Sequence, residues 1–245
     1  MKNFEKIETQ EKAEINEPEF ELKEFENSKE GFEVLLKKLV PNIKSHKYNL
    51  IIGDDTSGRI PTLVFHGLLK KIYKENSIEA PMINFFIGGS GLPLRSEEID
   101  ETLKKIANRH KNNNLNALLI SEIIFDGNSV KDFCEILKNN NISHDFAILG
   151  CDPSEELTNT LGEVERKIKE EIGEEVFLGS FHMFFWGMKK MVGVKKEVAT
   201  LNPFSKRTEK TDEEFDREEF LKARRDVKKM IDHLKNIYDK EKNEI

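Results

Sequence analysis

At 245 residues the chain is long enough for one large α/β domain or for a smaller core with appendages, and 37% hydrophobic residues, with 17 Phe, can furnish that core. Charged residues at 35% and a net charge of -7 describe a solvated exterior and argue against general nucleic-acid binding, whose affinity comes from Lys and Arg neutralising phosphates. No stretch approaches the ~20 apolar residues of a membrane span, and the opening residues lack the apolar run of a signal peptide, so a cytoplasmic protein is expected.

Residues 1–30 form an acidic N-terminal extension, rich in Glu and Lys and interrupted by Pro18. It is either a disordered tail or a marginal helix that docks Phe20 and Phe25 on the main body. From Gly31 to Val40, Phe32, Leu35, Leu36 and Leu39 recur at helical spacing, and Pro41 is expected to end that helix. Tyr48 to Gly53 is a short apolar run suited to a strand covered on both faces. The turn DDTSGRIPT follows, with Pro61 in the first turn of the next helix, where its missing N–H is no loss.

Pro81 to Ile87 predicts a second strand, leading into GGSGLPLR. Ser96 then caps a helix that buries Ile99, Leu103 and Ile106 and runs to about His110, which reads as a solvent-exposed polar residue. Ala117 to Ser121 predicts a third strand and Ser129 to Asn139 a helix with Val130, Phe133, Ile136 and Leu137 inward. Asp145 to Gly150 repeats the buried-strand signal, and CDPSEE opens a helix carrying Leu157, Leu161, Val164, Ile168 and Ile172. Cys134 and Cys151 have no metal-ligand spacing and read as buried, reduced thiols.

After Glu175 the run VFLGSFHMFFWGMKKMVGVKK reads as an aromatic core cluster, a partner surface or a hood over a planar base. It contains His182 and Trp186, while Lys189, Lys190, Lys195 and Lys196 supply positive charge. Thr211 and Glu214 stand at capping-box spacing before a long amphipathic helix with Phe220, Ala223, Val227, Met230, Ile231, Leu234 and Tyr238 on one stripe. That stripe is expected to pack on its own domain or against a second copy in a homodimer. Alternating strand and helix implies an α/β fold with a mainly parallel sheet flanked by helices, and ligands at the carboxyl ends of the strands. The expected division is 1–30 extension, 31–205 main domain and 206–245 C-terminal helix.

Two loops carry the chemistry. SGRIP, Ser57 to Pro61, follows the first strand, and ALLISEIIFDGNS, Ala117 to Ser129, is an apolar strand, an acid and a glycine-bearing turn before a helix. Over about Tyr48 to Asp152 the chain resembles the type I phosphoribosyltransferase family, whose signature is a strand, two adjacent acids and a Thr-Gly-x-Thr type of turn. The resemblance implies a phosphoribosyltransferase-like fold that binds a ribosyl phosphate or nucleotide. It assigns the 5′-phosphate to Asp126, Gly127, Asn128 and Ser129, a ribose hydroxyl to Glu122, and the pyrophosphate to Ser57, Gly58 and Arg59. Mg²⁺ is the implied cofactor, with Glu122, Asp54 and Asp55 as its candidate ligands, and GGSGLPLR occupies the place of the family's mobile loop. No residue stands out as the catalytic acid or base.

Three positions depart from the pattern: Ser121 replaces the first acid, Phe125 stands where purine-using members place an acid, and Asp126 stands where Thr is usual. Two readings follow. One is a phosphoribosyltransferase or close relative; the other is a non-catalytic, nucleotide-binding regulatory protein with the same fold.

Overall fold

Apolar runs separated by polar turns build the sheet. A computed structural model describes residues 18–54, 58–86, 96–109, 114–123, 128–151, 159–181 and 217–242. Its strands are β1 (Leu50–Asp54), β2 (Met82–Phe86), β3 (Asn116–Ile123), β4 (Ser143–Gly150) and β5 (Glu175–Ser180). They form one sheet in the order β2-β1-β3-β4-β5. All four pairings are parallel, the arrangement that the alternation of strands and helices predicts.

Helices α1 (Lys23–Lys44), α2 (Arg59–Glu75), α3 (Ser96–Arg109), α4 (Asn128–Asn139), α5 (Leu161–Ile172) and α6 (Arg217–Glu241) divide between the two faces. Because side chains alternate along a strand, each central strand feeds two cores. Ile51, Leu118, Ile120, Ala147 and Leu149 pack with α1 and α2, and α6 lies over that pair through Met230, Leu234, Ile237 and Tyr238. On the opposite face Leu50, Ile52, Ala117, Leu119, Phe146 and Ile148 pack with α3, α4 and α5. α1 lies so close to β5 that a Cβ on Gly179 would sit 2.6 Å from the carbonyl oxygen of Gly31. The C-terminal stripe therefore packs in cis.

The elements differ from the sequence expectation at several boundaries. α1 begins at Lys23 rather than Gly31, with Phe25 fully buried and Phe20 stacked on it at 5.8 Å. The acidic residues from Lys23 to Glu30 are thus helix on the main body, because the apolar stripe continues through Phe25 beneath a charged outer face. Pro41 sits inside this helix, near its end. Its missing N–H costs one hydrogen bond, which the burial of Leu39, Val40 and Ile43 offsets. The expected aromatic segment opens instead with a strand, β5, whose Val176 and Leu178 are buried. α5 starts at Leu161 behind Thr160, whose hydroxyl accepts from the N–H of Glu163 in a capping box. Residues 1–17, Leu157, His110, His182, Trp186, Lys189, Lys190, Lys195, Lys196, Thr211 and Glu214 lie outside the described residues, as does GGSGLPLR.

Candidate functional site

The strand order reverses between β1 and β3: β2 lies beyond β1 on one side, and β4 and β5 beyond β3 on the other. In open parallel sheets such a reversal leaves a crevice at the carboxyl ends of the two strands, where ligands bind. β1 ends at Asp54 and leads into α2; β3 ends at Ile123 and leads into α4 on the opposite face. The ends of β1 and β3 and the starts of α2 and α4 are the described elements on either side of this reversal. Gly53 pairs with Ile120, the last pairing between the two strands.

Close packing holds the first turn of α2 on the end of β1. Gly58 is the N-cap, and its carbonyl accepts from the N–H of Thr62 at 2.9 Å and from the Thr62 hydroxyl at 2.6 Å. Thr62 is fully buried against Gly53. Glycine at the cap offers no side-chain acceptor of its own to the first N–H groups of the helix. Arg59, the first residue of α2, lays its guanidinium over the ring of Phe85 at 4.9 Å from the centroid. Phe85 belongs to β2 and pairs with Gly53. Stacking on an aromatic face fixes the plane of the guanidinium.

The electrostatics of the helix starts distinguish this edge. α1 has Glu24 and Glu26 in its first turn, α5 has Glu163, and α3 and α6 begin Ser-Glu-Glu and Arg-Glu-Glu. α2 and α4 carry no acid in the first turn. An acid there would neutralise the positive end of the helix dipole; its absence from the two helices at the crevice leaves two anion-attracting ends on either side of it.

Glu122 is the buried charge of the site. It lies within β3, not in the turn, with 1% of its surface exposed, because the strand runs to Ile123 and past the expected end at Ser121. Alternation along the strand puts Glu122 on the face of Leu118 and Ile120, the side that α2 covers. Asn128 and Ser129 open α4. The structure therefore brings Asp54, Gly58, Arg59, Glu122, Asn128 and Ser129 to one sheet edge on neighbouring elements. Asp55, Ser57, Phe125, Asp126 and Gly127 lie outside the described residues. Phe85 and Thr62 were not recognised as site residues: Phe85 reads in sequence only as part of an apolar strand.

At the opposite, amino edge a second polar cluster has a structural role. The Oδ2 of Asp145 accepts from the Tyr48 hydroxyl and from Lys47 Nζ, each at 2.6 Å, and from Asn42 Nδ2 at 3.2 Å. Burial first, and then Asp145, pushes the Tyr48 phenol well above its ordinary value. Burial likewise holds the Cys134 thiol up at about 12, so it is no nucleophile near neutral pH. Both cysteines are free and buried.

The sequence matches no protein-family model and no curated protein. Among the described residues no three acids, histidines or cysteines cluster to hold a metal ion, and no described helix is long and apolar enough to cross a membrane. Among the described residues this sheet edge carries two helix starts without an acid in the first turn, together with Arg59 and the buried Glu122.

Proposed function

We propose that this chain is a phosphoribosyltransferase or a close relative that acts on a ribosyl phosphate such as phosphoribosyl pyrophosphate. The observation that carries the reading is the placement of α2 and α4, two helices without an acid in their first turn, on either side of the β1–β3 reversal. A substrate with phosphate groups at both ends of a ribose matches two anion sites separated by a carboxylate. On this reading Gly127, Asn128 and Ser129 hold the 5′-phosphate, Ser57, Gly58 and Arg59 the pyrophosphate, and Glu122 a ribose hydroxyl.

The reaction would break the bond from the ribose C1 to the pyrophosphate oxygen as an acceptor forms its bond to C1. Charge builds on the leaving pyrophosphate, where Arg59 and the N–H groups of α2 stabilise it, and positioning between the two anion sites supplies much of the remaining effect. Mg²⁺, when bound, neutralises phosphate charge. Glu122, Asp54 and Asp55 would hold it on this reading, and a set of few carboxylates would suit an ion that keeps water and takes substrate phosphates as ligands.

One observation favours a second reading, a non-catalytic nucleotide-binding regulatory protein of the same fold. Ser121 stands at the first position of the acid pair, and the remaining acid, Glu122, is 1% exposed. Calorimetry with phosphoribosyl pyrophosphate and Mg²⁺, paired with an assay for released pyrophosphate over a panel of bases, separates the two. Binding with release supports the transferase; saturable binding of the substrate or of a nucleoside monophosphate without release supports the regulator. No binding of either at millimolar ligand overturns both.

A further inference from the structure

β5 is the last strand of the described sheet, and its inner side pairs with β4 from Glu175 to Ser180. An outward row of unpaired N–H and C=O groups on such a strand is a template for another strand, and proteins commonly blunt it with charge. Here both outward groups of one central residue, Leu178, are already taken. Its N–H donates to Glu165 Oε1 at 2.6 Å, and its carbonyl accepts from Lys38 Nζ at 2.9 Å. The two side chains also pair with each other at 2.5 Å.

The origin of the two groups makes this more than a surface ion pair. Lys38 comes from α1, which covers one face of the sheet, and Glu165 from α5, which covers the other. They meet only by reaching around the rim of β5, and the donor stands at the carbonyl and the acceptor at the N–H. Both remain partly exposed, at 29% and 19%, and among the described residues these two side chains close the rim. We infer that Lys38 and Glu165 act as a plug that keeps the outer edge of β5, the last strand of the described sheet, from pairing with β5 of a second copy of this chain. A twofold contact between two such edges would join two sheets into one; with Leu178 occupied at its centre, that ladder cannot form.

The test compares the full chain with Lys38→Ala/Glu165→Ala by sedimentation velocity over a concentration series, with hydrogen exchange read on the peptide containing Leu178. The expected result is a species of twice the wild-type mass that grows with concentration in the variant, with slower exchange in that peptide as it forms. Lys131→Ala/Glu171→Ala removes an exposed pair between α4 and α5 and should keep the wild-type mass. The swap Lys38→Glu/Glu165→Lys keeps an ion pair but sets an acceptor against the carbonyl and a donor against the N–H. Leu178 should then exchange faster than wild type at low concentration, and association should reappear. A swap that behaves as wild type would reduce the pair to a tether between α1 and α5 and overturn the plug. So would a folded double-alanine variant that keeps the wild-type mass throughout, or one that associates without added protection at Leu178.

Discussion

A Cβ on Gly53 would lie 2.1 Å from the Oγ1 of Thr62, so the end of β1 and the Thr62 side chain in the first turn of α2 touch with no room for another between them. This contact sets the position of Gly58 and Arg59 relative to the crevice. Gly53→Ala must push α2 outward or displace Thr62, and overpacking of this kind costs about 1–3 kcal/mol. Urea denaturation should register that loss, and any anion affinity at the crevice should fall with it. Gly162→Ala in α5, where nothing lies within 4 Å of the added atom, is the control. It should leave stability unchanged or raise it by about 0.4–1 kcal/mol.

Asp226 of α6 holds the segment that leads into α1. Its fully buried carboxylate accepts through Oδ2 from the backbone N–H of Glu21 at 2.9 Å and of Leu22 at 2.8 Å, at the start of α1. Lys229 Nζ stands 3.2 Å from Oδ1, a charge contact without good hydrogen-bond alignment. Asp226→Ala strands two donors and is expected to lower stability by about 1–3 kcal/mol. Asp226→Asn, which keeps a carbonyl oxygen, should lose less; equal urea midpoints for the two variants would contradict an anchoring role for these bonds.

The legible part of the fold was the buried strands: Leu50–Ile52 and Phe146–Leu149 are apolar runs with polar turns on both sides, which a parallel sheet demands. β5 was hidden because Val176–Leu178 runs directly into further aromatics, so no polar boundary marked its end. The start of α1 was hidden by composition, since a stripe carried by Phe25 and Ser28 is faint among Glu and Lys. At the site, glycines and a proline announced the α2 turn. Glu122 was read as a turn residue because Ser121 looks like a strand end, and only pairing with β4 carries β3 on to Ile123. The stacking of Arg59 on Phe85 joins residues whose proximity is set by sheet register, which no local pattern encodes.

Glu21 anchors the segment before α1 to α6. Arg225 holds it bidentately, with Nε and Nη2 at 2.7 and 2.6 Å, and Lys229 lies nearby. The Arg225 hydrogen bonds, with smaller charge contributions from Arg225 and Lys229, bring the carboxyl from 4.5 down to about 2. A carboxyl depressed on folding stabilises above its unfolded value, and that contribution is lost as pH falls through its folded value. The contact should therefore be intact above about pH 4.5 and weaken towards pH 2. An NMR titration of the Glu21 carboxyl checks this. Arg225→Ala should return its midpoint to the ordinary range, and a wild-type midpoint near 4.5 would show that the pair is screened in solution.

Phe85 is the residue at the crevice whose role separates most cleanly from folding. It is only partly buried, on the edge strand β2, and its ring lies beneath the Arg59 guanidinium at 4.9 Å. Such contacts are worth about 0.5–1 kcal/mol at exposed sites, which corresponds to a roughly two- to five-fold change in an equilibrium constant. Phe85→Leu keeps an apolar side chain in the strand but removes the ring face, freeing the guanidinium to explore more rotamers before it meets an anion. Calorimetry with inorganic pyrophosphate should show affinity reduced by about that factor in Phe85→Leu and retained in Phe85→Tyr, with thermal midpoints close to wild type. Arg59→Lys should lose more, because an ammonium cannot supply the planar, two-point contact. If Phe85→Leu and Phe85→Tyr bind pyrophosphate alike while Arg59→Lys does not, Arg59 contacts the anion but the ring beneath it does not orient it.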